Sequence, residues 1–142
     1  MAHHQRVHQA RSAARRKTLQ ILYQSEIAGL SAQQILDEEL CVDEVGLPCD
    51  FTRMLLAGIS EHAAEIDGLI ATTSANWSIE RMPLVDKSIL RLAIFEMLYV
   101  SDVPHSVSIN EAVELAKDFG GEDESSRFVN GVLGKISDLL VE

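Results

Sequence analysis

Apolar residues recur at helical spacing from about Ala10 to Leu140, and the strict polar/apolar alternation that marks strands is nearly absent. A chain that offers one apolar stripe per 3.6 residues, segment after segment, buries it by packing helix on helix. The expected fold class is therefore all-α, a compact helical bundle of about six to seven helices. At 142 residues the chain is long enough to close one core without metal or disulfide staples. The expected organisation is a flexible basic N-terminal arm over residues 1–10 and a single helical domain over residues 11–142.

In the first helix, Leu19, Leu22, Tyr23, Ile27 and Leu30 form a stripe that would face the core. At about 100° per residue, Arg11, Arg15 and Arg16 fall within or beside it. Arginines are not buried without partners, so these turns are expected at the rim of the core or beyond it. Ser31 and Gln34 have capping-box spacing and open a short second helix through Ile35, Leu36 and Leu40. Gly46, Leu47 and Pro48 read as a connection. A long third helix follows, with Phe51, Leu55, Ile59, Ala63, Ile66 and Ile70 on one face and Gly58 inside it. Trp77, in a loop over 72–83, is expected to plug the core.

The fourth helix, about 85–100, is apolar almost all round, which marks a central, buried element. Pro104 ends it. The fifth is expected to start at Ser108, with Glu111 three residues on, and to stop at Gly120 and Gly121. The sixth carries Phe128, Val129, Val132, Leu133, Ile136, Leu139 and Leu140.

The formal net charge of −10 argues against a nucleic-acid binder until its distribution is considered. Residues 1–25 hold Arg6, Arg11, Arg15, Arg16 and Lys17 and no acid, a charge of +5. The remainder holds 7 basic and 22 acidic residues, a charge of −15. A basic leader that merely solubilises an acidic body is one reading. A surface for phosphate is the other, because arginine and lysine on a helix supply phosphate contacts and arginine also stacks on bases.

No Walker A, G-x-G-x-x-G, G-x-S-x-G or H-E-x-x-H motif occurs, so the chain is not expected to be an enzyme and no cofactor is implied. Glu61 and Glu65 read as a solvated face, and His62 and His105 as isolated surface residues. Cys41 and Cys49 match no metal-ligand spacing and are expected as free thiols in a reducing cytosol. The longest apolar runs fall far short of the roughly 20 residues that span a bilayer, and the basic start lacks the apolar stretch of a secretory signal. A cytoplasmic location without membrane contact is expected.

Several ordered segments resemble the NusB antitermination family. These are A-R-R-K-T-L-Q-I-L-Y over 14–23, Leu55 to Gly58 with Ile66, Asp67 and Leu69, and I-L-R-L-A-I-F-E over 89–96 followed by Asp102 to Pro104. N-E-A-V-E-L-A-K over 110–117 with Phe119 and Gly120, and F-V-N-G-V-L over 128–133, complete the set. The resemblance implies a two-part helical bundle that binds boxA-type single-stranded RNA in nascent, notably ribosomal, transcripts. It implies a complex with the small-subunit ribosomal protein NusE and action on the elongating RNA polymerase to suppress termination. On this reading Arg11, Arg15, Arg16 and Lys17 hold phosphates, and Tyr23, Phe119 and Phe128 are candidates to touch bases, although each also fits a core stripe. Glu80 and Asp86 are the candidate contacts to the basic partner.

Two alternatives stay open. Some ribosomal RNA cytosine methyltransferases resemble this family in an N-terminal domain, but they need a further cofactor-binding α/β domain that this sequence does not contain. The other is a self-associating helical protein, a homodimer whose interface would decide whether the basic segment is free for RNA.

Overall fold

The computed structural model describes residues 2–40, 48–74, 78–121 and 123–141, with side chains from Gln5 onward. Among the described residues the regular structure is helical: α1 (Ala2–Ala28), α2 (Ala32–Asp37), α3 (Asp50–Glu61), α4 (Ala63–Thr73), α5 (Leu84–Tyr99), α6 (His105–Phe119) and α7 (Asp123–Val141), with a 3-10 turn at Ile79–Arg81. The all-α expectation holds. No helix among these residues is long and apolar enough to cross a membrane. Cys41, Gly46, Leu47 and Trp77 lie outside the described residues.

The chain divides into two compact units, residues 1–58 and 59–142. In the first, α1 carries helical backbone from Ala2, so residues 5–10, read from sequence as part of an arm, form exposed helical turns. The buried face of α1 is turned from the one expected. Ala14, Arg15, Thr18, Leu19 and Ile21 are buried, whereas Tyr23 is 42 % and Ile27 65 % exposed. Polar residues occupy the inner face because their polar atoms are satisfied there. The carbonyl of Ala14 accepts from the hydroxyls of both Thr18 (2.7 Å) and Thr52 (2.9 Å), the second bond tying α3 to α1.

Ser31 caps α2 as expected. Its Oγ accepts from the Gln34 amide at 3.1 Å, and Gln34 Oε1 accepts from the Ser31 amide at 2.9 Å. The cap turns Ile35 and Leu36 onto Ile21 and Leu56. Full burial of such aliphatic side chains contributes about 1.5–3 kcal/mol each.

In the second unit α5 is the central helix, buried along Ile89, Leu90, Leu92, Ala93, Ile94 and Phe95 and packed against α4, α6 and α7. Two expectations are corrected. The long third helix is broken at His62, whose backbone leaves the helical region at φ −106°, ψ 22°. The imidazole there stacks on the Tyr99 ring at 4.1 Å between centroids, and its Nδ1 lies 3.7 Å from Glu65 Oε1, so His62 is not isolated. The second correction concerns α6, which starts at His105 rather than Ser108. The fixed φ of Pro104 (−60°) initiates the helix, and its carbonyl accepts from Val107 and Ser108. Ser108 is then buried inside the first turns, its hydroxyl without a hydrogen-bond partner among the described residues.

The α6–α7 turn depends on two adjacent glycines for different reasons. A Cβ on Gly120 would stand 2.7 Å from both the Ala116 carbonyl oxygen and Ser125 Cβ. Gly121 has open space but a φ of +88°. This close turn sets Phe119, at the end of α6, and Phe128, on α7, on either side of it.

Candidate nucleic-acid interface

In the first unit two of the α1 cations lie over an aromatic ring from α3. The Arg11 guanidinium lies 4.7 Å and that of Arg15 5.6 Å from the Phe51 ring centroid, both within cation–π range. Arg15 is only 2 % exposed, against the expectation that the arginines of this segment stand at the rim. The Phe51 ring gives this buried cation a partner inside the unit. Arg11 and Lys17 are half-buried and Arg16 is exposed. The outer face of α1 therefore presents Arg16 fully and Arg11 and Lys17 in part, over a stretch without an acid from residue 5 to residue 25. Tyr23 lies two turns beyond Arg16 with its ring exposed.

Phe51 was not singled out by sequence reasoning, which saw only an apolar position on the third-helix stripe. The available signal was the i, i+4 spacing of Arg11 and Arg15 on a face that also carries core residues. A buried cation needs a partner, and an aromatic ring is one.

In the second unit Phe119 is 40 % exposed and Phe128 is half-buried. Phe128 lines an open cleft with Pro83, Asp86, Glu124 and Ser125. Asp86, in the first turn of α5, is buried at 4 % exposure, and its Oδ1 has no hydrogen-bond partner among the described residues. Burial pushes its carboxyl above the ordinary value, opposed by a hydrogen bond from the Ser125 hydroxyl. Glu80, by contrast, is an exposed acid on the 3-10 turn. The two candidate partner contacts are thus unlike: one is on the surface, the other in the wall of a cleft.

Among the described residues no group of three or more His, Cys, Asp or Glu side chains could hold a metal ion. Cys49 is exposed; burial pushes its thiol up, but hydrogen bonds around it, from Thr52 above all, bring it below the ordinary value.

Residues 12–138 match the model of the NusB family. The chain belongs to the NusB family. It is 45 % identical over 130 residues to the transcription antitermination protein NusB of Pelotomaculum thermopropionicum, covering 89 % of this chain and 88 % of that one. With the protein of the same name from Myxococcus xanthus it shares 44 % identity over 133 residues, 90 % and 94 % of the two chains. A solved structure of T. maritima NusB superposes with a TM-score of 0.80 at 36 % identity, covering 90 % of each chain. A crystal structure of the antitermination factors NusB and NusE in complex with dsRNA has the same fold, with a TM-score of 0.73 at 24 % identity over 91 % of this chain and 96 % of that one. NusB-family membership accounts for the ordered segments read from the sequence.

Proposed function

We propose that this NusB-family chain is an RNA-binding transcription antitermination factor, a binding protein and not an enzyme. The observation that carries the reading is the cationic stretch of α1, free of acids up to residue 25, on a chain whose remaining residues are strongly acidic, in a family whose named relatives are antitermination proteins. Phosphate neutralisation requires that face, since the rest of the chain repels RNA. Arg11, Arg16 and Lys17 hold phosphates of a boxA-like single-stranded RNA, and Arg15 supports them from the inner side of the helix. Tyr23, Phe119 and Phe128 supply rings for base contact.

The protein partner is the ribosomal protein NusE, as in the related NusB–NusE complex. Glu80 and the Asp86 cleft offer that basic partner acidic contacts. The RNA and NusE complex acts on the elongating RNA polymerase in the cytoplasm. A homodimer that covered α1 would oppose this function, and gel filtration beside the RNA titration separates the two states.

The test is titration of a labelled boxA-like RNA with wild-type protein and the Arg16→Ala/Lys17→Ala variant over a series of salt concentrations, with and without NusE. The variant is expected to bind all RNAs more weakly. Its log–log salt slope flattens by about 0.7 for each phosphate that is no longer neutralised. Equal binding by both proteins at every salt concentration overturns the reading.

A further inference from the structure

Arg11 and Arg15 are one helical turn apart on α1, where two like charges repel each other. Both guanidiniums nevertheless lie over one ring, at 4.7 and 5.6 Å from the Phe51 centroid. The negative face of an aromatic ring attracts each cation, and most strongly where water is excluded, as at the buried Arg15. The next residue fixes the register of this contact. Thr52 donates to the carbonyl of Ala14 at 2.9 Å, so residues 51 and 52 of α3 meet residues 14 and 15 of α1 side by side. That bond holds Phe51 against the arginines independently of the cation–π attraction.

We infer that Phe51 is the positioning residue of the cationic face: its ring anchors Arg15 beneath the surface and holds Arg11 ordered at the surface for phosphate. This rests on the RNA reading above and adds to it a residue that does not touch RNA. The physical gain is preorganisation. An untethered arginine loses rotamer freedom when it closes on a phosphate, and an arginine already held over a ring loses less.

The experiment compares RNA binding by the wild type and by Phe51→Leu, Phe51→Tyr, Arg11→Ala and the Phe51→Leu/Arg11→Ala double variant, with Arg16→Ala/Lys17→Ala as the control for RNA binding. Arginine side-chain NMR on the unbound proteins accompanies it. Phe51→Leu is expected to weaken binding about three- to tenfold, as removal of one cation–π interaction implies, and to flatten the salt slope toward that of Arg11→Ala. Phe51→Tyr keeps the ring face and restores both. The double variant binds like the weaker single variant, because the ring and Arg11 act through one shared contact.

In the wild type the ring current shifts the Arg11 and Arg15 δ-methylene protons upfield, and the shift is absent in Phe51→Leu. If Phe51→Leu does not fold, Phe51→Met takes its place, a flexible side chain that fills the gap without a ring. Wild-type affinity in the ringless variant, while Arg16→Ala/Lys17→Ala binds weakly, overturns the inference and leaves the RNA reading standing. Unshifted arginine resonances in the wild type also overturn it. RNA binding absent from the wild type overturns the RNA reading, and the role given to Phe51 goes with it.

Discussion

Arg91 grips Asp67 at two points, Nε to Oδ1 at 2.9 Å and Nη2 to Oδ2 at 3.0 Å, and so joins the middle of α5 to α4. Both side chains are largely shielded from water, at 19 % and 31 % exposure, so the pair is screened less than a surface ion pair. Its two-point geometry belongs to the guanidinium fork and is unavailable to lysine. Arg91→Lys is expected to lower stability by about 1 kcal/mol although the charge is kept. Asp67→Ala, which takes a partner from a shielded cation, should cost about 1–3 kcal/mol. Equilibrium denaturation measures both, and a lysine variant as stable as the wild type would show that the fork contributes nothing.

The two glycines of the α6–α7 turn should respond to different substitutions. Gly120→Ala places a methyl group 2.7 Å from backbone oxygen and from Ser125 Cβ, an overpacking that costs about 1–3 kcal/mol. At Gly121 the obstacle is the positive φ, so asparagine, which tolerates left-handed backbone, should cost less than alanine. Asparagine at Gly120 has no such advantage, because space and not φ is limiting there. Thermal unfolding of the four variants distinguishes the two causes, and an asparagine advantage at Gly120 would contradict the assignment.

Local chemistry was the legible part of the sequence. The Ser31 cap, the apolar α5 and the Gly120–Gly121 stop each depend on residues a few positions apart, and all three are found where spacing put them. What was not legible depends on residues far apart in the chain. The break at His62 has no glycine or proline to announce it, and the Tyr99 ring that stacks there comes from 37 residues further on. The inner face of α1 was misplaced for the same reason. Arg15 looks like a solvent residue until Phe51 of α3 is brought to it. Ser108 shows the limit of motif reading, since a sound capping-box spacing lost to the proline that had already started the helix.

Asp86 should make stability depend on pH in a particular direction. Burial raises its carboxyl above the ordinary 3.8, so the folded state holds this proton to higher pH than the unfolded chain does. Below 3.8 both states are protonated and nothing is lost. As pH rises through the window between 3.8 and the raised folded value, the unfolded state releases its proton first, and stability falls. Asp86→Asn removes this dependence while keeping the shape. The difference in stability between the variant and the wild type is expected to shift in favour of the variant as pH rises from 3 and to level off above the folded value. A difference that stays constant from pH 3 to 7 would show that Asp86 titrates as an ordinary carboxylate.

The three candidate base contacts differ in how far they also support the fold, and this separates their two roles. Tyr23 projects from the outer face of α1 with 42 % of its surface exposed, so Tyr23→Ala should leave stability within about 0.5 kcal/mol of the wild type. If its ring stacks on a base, the same variant should lose about 1–3 kcal/mol of RNA affinity with little change in salt slope, since stacking releases no counterions. Phe119 is similarly exposed and should behave like Tyr23. Phe128 is half-buried in the wall of the Asp86 cleft, so its truncation lowers stability as well as affinity. Phe128→Leu is the more informative change there, because it retains apolar bulk and removes the stacking face. RNA titration of these variants beside their unfolding curves gives each ring a position on both scales. A Tyr23→Ala protein that unfolds and binds RNA like the wild type would remove that ring from the interface and confine recognition on α1 to its cations.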